Sequence, residues 1–413
     1  MKRFLNKKKI FNDPVYGFVT IPSDLIYDII EHPYFQRLRR IKQLGLTDFV
    51  YPGALHTRFH HALGAMHLMS ITLDHLRSKR VHISDDEYEA ALCAILLHDV
   101  GHGPFSHALE DTILKDIPHE SLSILIMQRL NEEFDGALDL TLQIFQNQYH
   151  RRFFYQLVSS QLDIDRLDYL NRDSFFTGVS EGTIGADRII KMLTVVDDQL
   201  LVEEKGIYSI ENFLSARRLM YWQVYLHKAT VSAEKMFIQL IRRAKDLEHQ
   251  GADLFATPSL KVFLQREVTL EDFRKERALL EAFGNLDDYD LWGALKIWSQ
   301  HPDFVLAQLS QRLLQRKLFR VILSNTPPPQ EELQARRDRL ALRMALPPEE
   351  MDYFLVHGSM SNSAYVAEGQ TINILTKKRE IIDVAEAADL PNIRAMSKIV
   401  TKYYLCYPKE LEK

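Results

Sequence analysis

A dense group of histidine and carboxylate side chains follows one apolar segment of the chain. His98 and Asp99 stand directly after the apolar run 90–97, and two glycines then allow the backbone to turn tightly. Further groups of the same kind follow within about a dozen residues, namely His102, His107 and Glu110. An imidazole and a carboxylate beside apolar residues need a strong partner, and a divalent cation fits both. The pattern indicates a metal site, although a His-Asp pair alone is more often a helix cap or a satisfied core pair.

A second histidine pair lies upstream, at the start of an amphipathic helical pattern over about 57–77. His60 and His61 are neighbours, so on a helix they point in different directions and cannot easily face one ion together. We expect one of them to join the site and the other to be a bystander.

Several carboxylates occur among regularly spaced leucines in the segment 158–173. Asp165 and Asp168 share a helical face, so at least one of them must look toward the apolar side, where it needs a metal or another cation. The alternative is that Arg166 and Arg172 neutralise these acids in surface pairs, and the spacing leaves both interpretations open.

The elements that must position these groups are mostly helices. A short hairpin is expected over 11–22, and short strands begin near residue 317. Helices are expected over 23–31, 34–44, 57–77, 85–97, 119–133, 158–173, 210–235 and 260–315. The basic cluster within 34–44 is typical of a solvated helix face. The fold class is therefore mainly α: a helical core (1–240), a helical extension (241–316) and a small α+β C-terminal subdomain (317–413).

Composition sets the outer limits. The chain has 413 residues, of which 46% are hydrophobic and 26% charged, with a net charge of −5. These values indicate a globular protein of two or three domains and make nucleic-acid binding an unlikely role, so a polyanionic ligand would need local basic groups. Only Cys93 and Cys406 are present, which excludes a disulfide framework and suits a reducing compartment. No apolar run is long enough for a membrane span, and we expect a cytoplasmic protein.

The positions of His61, of His98 with Asp99, and of Asp165 on separate helices resemble the H…HD…D pattern of HD-domain metal-dependent phosphohydrolases. Longer blocks resemble the deoxynucleoside triphosphate triphosphohydrolase branch, which includes the SAM-and-HD-domain restriction factor of animal cells and shorter bacterial relatives. These blocks are 12–17, 35–45, 51–54, 58–64, 98–107, 119–120 and 165–173. The resemblance spans residues 9–236.

The resemblance implies an HD-type core, one divalent ion and a defined reaction. The ion would be Mn, Fe, Zn or Mg, held by His61, His98, Asp99 and Asp165. Water attacks the α-phosphorus of a deoxynucleoside triphosphate, and the deoxynucleoside and intact inorganic triphosphate leave. The departing 5′-oxygen needs a proton. The candidate catalytic residues are His107 as the acid, with His102, Glu110 and His119 as a supporting relay.

The resemblance also implies a substrate pocket. The triphosphate would be held by charged groups, with one tyrosine nearby: Arg58, Arg166, Tyr169, Arg217, His227 and Lys228. Gln43 and Asp173 would hold the 3′-hydroxyl, with Leu44 beside them, and Tyr225 would crowd the 2′ position and so exclude a ribose.

In relatives, a guanine-nucleotide activator site lies at a subunit interface. The matching positions are Lys9, Ile10, Asn12, Glu31, Gln36 and Arg39. Glu31 departs from the aspartate of the animal protein, and its extra methylene could change guanine recognition. The resemblance thus implies GTP or dGTP activation and a homo-oligomer, either a tetramer or a dimer.

Two other functions remain open at this point. One is an HD phosphodiesterase or nucleotidase acting on a different nucleotide, against which the basic helix around Arg217 and Lys228 argues. The other is a non-catalytic nucleotide-sensing regulator, against which the complete set of four ligands argues.

Overall fold

The computed structural model describes residues 9–105, 112–344, 347–362, 371–388 and 400–412. The fold is mainly α, as the sequence predicts. The helices, in chain order, are α1 (Asp24–Glu31), α2 (Pro33–Gln36), α3 (Arg58–Ser78), α4 (Asp85–Leu97), α5 (His119–Glu133), α6 (Asp139–Phe145), α7 (Arg152–Val158), α8 (Ile164–Thr177), α9 (Ala186–Met192), α10 (Ile207–Met220), α11 (Lys228–His249), α12 (Pro258–Gln265), α13 (Leu270–Lys275), α14 (Arg277–Gly284), α15 (Asp288–Trp298), α16 (Phe304–Leu314), α17 (Gln330–Met344) and α18 (Val384–Ala387). The strands are β1 (Ile10–Asp13), β2 (Gly17–Thr20), β3 (Leu193–Val196), β4 (Gln199–Glu203), β5 (Arg320–Ser324), β6 (Val356–Asn362), β7 (Asn373–Leu375), β8 (Ile381–Asp383) and β9 (Val400–Tyr407).

The core is organised around α3, which packs against both α4 and α8. The sequence of α4 explains its position: Ser84 and Glu87 form a reciprocal capping box, and acidic residues occupy the positive first turn. Residues 90–97 are all buried, so this helix lies inside the domain and carries His98 at its C-terminal end. Because α3, α4 and α8 pack together, groups far apart in sequence meet at one point.

Helix α8 begins and ends with clear local signals. The Asp163 side chain accepts a hydrogen bond from the backbone N–H of Arg166 at 2.8 Å, and Gly178 closes the helix in the left-handed conformation with φ of 73°. The face toward the core buries Leu167 together with charged residues, including Asp168. Such a face needs internal charge partners, which the neighbouring helices provide.

The expected helix over 34–44 is wrong beyond its first turn. Helix α2 ends at Gln36, and a 3-10 turn, Arg37–Arg40, follows. Arg37 is fully buried and donates to backbone carbonyls of the residues that follow α4, so it does not belong to a solvated helix face. Because its guanidinium must reach inward to these carbonyls, a regular helix with all its basic residues facing solvent would not allow this contact.

The expected continuous helix over 210–235 is interrupted. Helix α10 ends at Met220, a π-helical turn covers Tyr221–Tyr225, and α11 starts afresh at Lys228. The His227 imidazole accepts a hydrogen bond from the backbone N–H of Ala229 at 3.2 Å and so caps α11. Because of this interruption, the aromatic residues of the π-helical turn and the basic residues His227 and Lys228 do not lie along one continuous helix face.

The strands form three small sheets. β1 and β2 make the expected N-terminal hairpin, and β5, β9 and β6 make an antiparallel sheet with β9 in the centre. The β3–β4 hairpin extends to β7 and β8, with β4 and β7 parallel. Two C-terminal strands therefore join the helical core directly, while the boundaries proposed at residues 240 and 317 stay a prediction. None of the helices in the described part of the chain combines the length and the apolar character that a membrane crossing requires.

Candidate metal centre

The four expected metal ligands converge where α3, α4 and α8 meet. His61 Nε2 lies 3.3 Å from His98 Nε2, 3.1 Å from Asp165 Oδ1 and 3.8 Å from Asp99 Oδ2. His98 Nε2 lies 3.4 Å from Asp165 Oδ1 and 3.3 Å from Asp99 Oδ1. Nitrogen and oxygen ligands about 2.1 Å from one ion are about 3.0 to 3.4 Å apart, so all of these spacings except the longer one between His61 and Asp99 fit a shared divalent cation.

The charges of this cluster also favour a cation. Two imidazole Nε2 atoms face each other at 3.3 Å, which is unfavourable unless a proton or a metal ion lies between the lone pairs. Burial by itself lowers the pKa of His61, but its hydrogen bonds to Asp165 and Asp168 prevail and raise this pKa to about 10. The site therefore attracts positive charge, and the donor set suits a divalent ion such as Mn, Fe, Zn or Mg.

A chain of buried charges stands behind His61. His61 Nδ1 lies 2.7 Å from Asp168 Oδ2, and the Asp168 carboxylate accepts hydrogen bonds from Arg172 Nε at 2.9 Å and Nη2 at 3.0 Å. Arg172 also donates to Asp13 Oδ2, at 2.8 Å, at the end of β1. The Asp168 carboxylate fixes the proton on Nδ1, so the Nε2 lone pair faces the cluster, and His98 is oriented similarly because its Nδ1 donates to the Ile95 carbonyl at 2.6 Å.

The two interpretations of the acids on α8 each hold in part. Asp165 faces the two histidines, as the metal interpretation requires. Arg172 pairs with Asp168 four residues earlier, but this pair is fully buried and not at the surface. Arg166 pairs with Asp163. The positioning role of Asp168 was not recognised in the sequence, although its spacing of three from Asp165 and four from Arg172 carried the signal.

Two more histidines line the turn that follows α4. The rings of His102 and His119 stack at 3.6 Å, and His102 Nε2 lies 3.4 Å from Asp99 Oδ1. Burial, together with the neighbouring positive charge of Arg58, lowers the pKa of His102 to about 3, so this imidazole is neutral. Arg58 forms an ion pair with Asp99. The expected catalytic positions His107 and Glu110 lie outside the described residues.

The sugar-binding candidates Gln43, Asp173 and Tyr225 are connected by hydrogen bonds, in part through His56. Asp173 is buried, and its carboxylate accepts hydrogen bonds from Tyr225 OH at 2.7 Å and from His56 Nε2 at 2.8 Å. Gln43 is linked to this group through the backbone of His56, because the Gln43 N–H donates a hydrogen bond to the His56 carbonyl at 3.0 Å. The Gln43 Oε1 atom is buried and accepts no hydrogen bond from any described residue. His56 was missed in the sequence, since it has no spacing relation to the other groups.

The triphosphate candidates surround Tyr169 on the next turn of α8. Burial raises the pKa of Tyr169 to about 12, against the opposing effect of two nearby guanidinium groups, those of Arg166 and Arg217. Arg217 donates to Gln161 Oε1 at 3.1 Å. The ring of Tyr169 lies 6.3 Å from that of Tyr225, which connects the phosphate and sugar candidates.

The remaining substrate candidates are His227 and Lys228, at the start of α11, and Leu44, next to Gln43. His227 caps α11, its ring lies 6.1 Å from that of Tyr51, and Lys228 is the first residue of the helix. Leu44 is half-buried and packs on the core next to Gln43.

The six activator candidates lie just before and on β1, on α1 and α2, and in the turn that follows α2. Arg39 donates to Gln36 Oε1 at 2.9 Å, and Gln36 in turn donates to the Ile30 carbonyl at 2.8 Å. Burial lowers the pKa of Arg39, and the nearby Glu31 carboxylate opposes that effect. The guanidinium of Arg39 also covers the Phe59 ring at 3.5 Å.

The hairpin part of this group adjoins Arg39 through aromatic contacts. The Phe59 ring contacts that of Phe11 on β1, with centroids 6.0 Å apart. Ile10 and Asn12 flank Phe11 and are exposed, and the Lys9 ammonium lies 3.3 Å from the centre of the Tyr27 ring. The six side chains therefore share one exposed region of the surface.

Known proteins share this architecture. The family model described as HD domain matches residues 58–173, and the model described as HD associated region matches residues 184–257. The uncharacterized protein YwfO of Bacillus subtilis is 33% identical over 98% of this chain and 94% of its own length. A SAMHD1 homolog of Dictyostelium discoideum, named as a deoxynucleoside triphosphate triphosphohydrolase, is 32% identical over 65% of this chain and 57% of its own length. Among solved structures, a phosphohydrolase from Bacteroides thetaiotaomicron is 52% identical, with a TM-score of 0.94 over 97% of this chain and 100% of that one.

Proposed function

Because the chain belongs to the family of HD-domain phosphohydrolases, we propose that it hydrolyses deoxynucleoside triphosphates to the deoxynucleoside and inorganic triphosphate. The observation that carries this proposal is the arrangement on α8. One helix bears the metal candidate Asp165, the phosphate candidate Tyr169 and the sugar candidate Asp173, four residues apart in each case. A spacing of four residues puts the three side chains on one face, about 6 Å apart per step, so a single bound nucleotide would contact all three.

The chemistry at the α-phosphate needs an electrophilic partner, a water and a proton donor. A divalent cation held by His61, His98, Asp99 and Asp165 would polarise the α-phosphate and lower the pKa of a water at the same site. Arg58 pairs with Asp99 and so fixes its carboxylate, and its positive charge would favour a phosphate bound beside the metal site. The neutral His102, stacked on His119, would pass a proton within the turn. His107, with Glu110 in support, is proposed as the acid that protonates the departing 5′-oxygen.

Buried guanidinium groups of the candidate site would match the charge of the triphosphate. Arg166 and Arg217 each have a buried Nε–H with no acceptor among the described residues. A buried guanidinium donor without an acceptor is costly, so a phosphate oxygen at this position would satisfy it. His227 and Lys228 would add positive charge from the start of α11, whose backbone N–H groups also favour an anion.

Discrimination against ribonucleotides would arise from Tyr225. Its hydroxyl is held by Asp173 at 2.7 Å, so the ring cannot turn aside without breaking a buried hydrogen bond. Gln43 Oε1, which has no donor among the described residues, would accept a hydrogen bond from the 3′-hydroxyl group of the sugar. A ribose would bring its 2′-hydroxyl against the fixed ring and would bind more weakly.

A guanine nucleotide is the proposed activator, held by Lys9, Ile10, Asn12, Glu31, Gln36 and Arg39. The proximity of Glu31 to the Gln36–Arg39 pair supports this site, because a carboxylate can accept both N–H groups of the guanine edge. Exposure of the hairpin residues is consistent with completion of the site by a neighbouring subunit in a tetramer or a dimer.

The proposal is tested by product analysis. Purified protein is incubated with each deoxynucleoside triphosphate and Mn²⁺, alone and with GTP or dGTP, and the products are separated chromatographically. We expect deoxynucleoside and triphosphate, lost in Asp165→Ala and kept in Asp187→Ala, which removes an exposed acid of α9 instead. Monophosphate with pyrophosphate would indicate a different HD phosphohydrolase, and binding without turnover would indicate a nucleotide-sensing regulator.

Activation is tested in the same assay. If turnover requires a guanine nucleotide, Gln36→Ala and Arg39→Ala should raise the concentration of GTP needed for half-maximal activation. Full activity without any guanine nucleotide would contradict the activator proposal and leave the hydrolytic one standing.

A further inference from the structure

Residues 286–288, at the start of α15, contact the catalytic core. They belong to the helical extension, whose sequence contains no group assigned to catalysis. Asp287 caps α15 and forms an ion pair with Arg40, and the Leu286 carbonyl accepts a hydrogen bond from Arg37 at 3.3 Å. The extension therefore touches the 3-10 turn that follows α2 through two separate arginines.

Asp288 makes the most specific of these contacts. One of its carboxylate oxygens accepts a hydrogen bond from the Lys42 N–H at 2.9 Å, and the other accepts one from the Phe105 N–H at 3.3 Å. The side chain is 4% exposed, so both bonds form away from solvent. A single carboxylate thus joins two loops that are more than sixty residues apart in the chain.

Each of the two loops joined by Asp288 carries a candidate functional residue. Lys42 immediately precedes Gln43, the candidate for the sugar 3′-hydroxyl, and pairs with Thr57 at the start of α3. Phe105 lies three residues after His102, in the segment 98–105 that follows α4 and is called the histidine turn below. The Asp288 carboxylate therefore fixes the position of the segment at Gln43 relative to the turn that carries His102.

The backbone at Phe105 needs such an external hold. Its φ of 53° lies in the left-handed region, which is unfavourable for a bulky residue unless surrounding contacts compensate. Its ring packs against Phe237 at 4.5 Å and Trp292, on α15 itself, at 5.8 Å. Helix α15 therefore supports this residue both by the Asp288 hydrogen bond and by aromatic packing.

Arg37 anchors the same turn from a second direction. Its guanidinium donates to the His102 carbonyl at 2.9 Å and to the Val100 carbonyl at 3.2 Å, and its face covers the Phe283 ring at 4.7 Å. Phe283 lies at the end of α14, which is also in the extension. The histidine turn is thus held at its start through Arg37 and at its end through Asp288.

We propose that Asp288 is a positioning residue, which fixes the histidine turn relative to the sugar-binding segment at Gln43, and that the helical extension thereby forms part of the catalytic machinery. The kinetic consequence rests on the proposed dNTP hydrolysis, whereas the positioning itself does not. A displacement of about 1 Å between reacting groups can reduce a rate on the order of a hundredfold.

The test compares Asp288→Ala, Asp288→Asn and a control, Asp303→Asn. Asp303 is another carboxylate at the start of a helix of the extension, where it accepts the Leu306 N–H at 2.8 Å and pairs with Arg243, but it contacts neither loop. We expect Asp288→Ala to lower kcat on the order of a hundredfold with little change in KM. Asp288→Asn keeps one acceptor oxygen and should recover part of this loss, while Asp303→Asn should lower Tm and leave kcat unchanged.

Amide hydrogen exchange gives a readout that does not depend on the substrate. In wild type, the amides of Lys42 and Phe105 should be protected, and in Asp288→Ala both should exchange at least tenfold faster while α3 and α4 keep their protection. Asp288→Asn keeps one acceptor oxygen, so at least one of the two amides should exchange at least tenfold faster. This result would support the positioning role even if dNTPs are not turned over, which would overturn only the proposed function. Unchanged exchange at both amides, or a loss of Tm with unchanged kcat as in the Asp303 control, would overturn the positioning role. If Asp288→Ala does not fold, Asp288→Asn carries both measurements.

Discussion

Replacing Asp168 by asparagine should weaken metal binding although Asp168 is not itself a proposed ligand. In the wild type, its carboxylate accepts the His61 Nδ1 proton at 2.7 Å and two hydrogen bonds from Arg172. Asparagine has nearly the same shape, but it offers one acceptor oxygen and removes the negative charge. The His61 ring would be held less firmly in the orientation that points Nε2 at the cluster.

The magnitude follows from the contacts that are lost. Outer hydrogen-bond partners of metal-binding histidines typically contribute 10- to 100-fold in metal affinity, or about 1.4 to 2.8 kcal/mol. The asparagine NH₂ group must also face either Arg172 or His61, both donors, and Arg172 keeps only Asp13 as a charged partner. Because the buried Arg172 loses one of its two carboxylate partners, the free energy of unfolding should fall by about 3 kcal/mol.

Metal affinity is measured by competition of Mn²⁺ or Zn²⁺ with a chelating dye, and stability by urea denaturation of the metal-free protein. Glu87→Gln is the matched control, because Glu87 is another buried carboxylate that accepts hydrogen bonds from Arg151 and from the Ser84 N–H at the far end of α4. Both variants should lose stability, but only Asp168→Asn should lose metal affinity. Equal metal affinity for Asp168→Asn and wild type would refute the orienting role of Asp168.

Four further outcomes are expected. Burial raises the pKa of Asp288 from its ordinary value of 3.8 to about 6, so the folded state holds this proton more tightly than the unfolded state does. The contribution of Asp288 to stability should therefore fall as the pH rises from about 4 to about 6, by up to about 3 kcal/mol, and urea titrations of Asp288→Asn should lack this component. Tyr225→Ala should raise turnover of ribonucleoside relative to deoxyribonucleoside triphosphates on the order of tenfold, measured as the ratio of kcat/KM values; an unchanged ratio would contradict its role at the 2′ position. Arg37→Met should lower the free energy of unfolding by about 3 kcal/mol or more. Arg37→Lys should not restore this stability, because an ammonium cannot reach three carbonyls at once. A Tm of Arg37→Lys equal to wild type would count against this explanation. Cys93 and Cys406 are buried with raised thiol pKa values, so a colorimetric thiol reagent at pH 8 should find no reactive thiol in the native protein and two after denaturation.

Much of the fold could be predicted from local signals. The capping box and apolar run of α4, and the Pro/Gly turn of the β1–β2 hairpin, are short-range patterns that act within a few residues. Two elements could not be predicted in this way. The turn at Arg37 and the π-helical break at Tyr221–Tyr225 both depend on contacts with segments more than sixty residues away, and those contacts override local helix propensity.

The candidate site likewise contains residues that could be predicted from the sequence and residues that could not. His61, His98, Asp99 and Asp165 could be proposed because metal ligands are restricted to a few residue types and follow a family pattern of spacing. The residues that support the surrounding site could not be proposed. Asp13 pairs with Arg172, His56 with Asp173, and Asp288 with the Phe105 N–H, and all three are ordinary residues until a distant segment is placed beside them.

The sequence by itself determined the mainly α class, the resemblance to HD-domain phosphohydrolases and the residue types available for metal chemistry, since each depends on side-chain chemistry and short spacing. Only the tertiary structure decided which acid on α8 faces the histidines, which one instead orients His61 and is itself held by Arg172, and that α15 of the extension holds the histidine turn. The physical reason is that a buried charge or an unpaired N–H takes its partner from whatever lies within about 3 Å, and chain folding decides which residue that is.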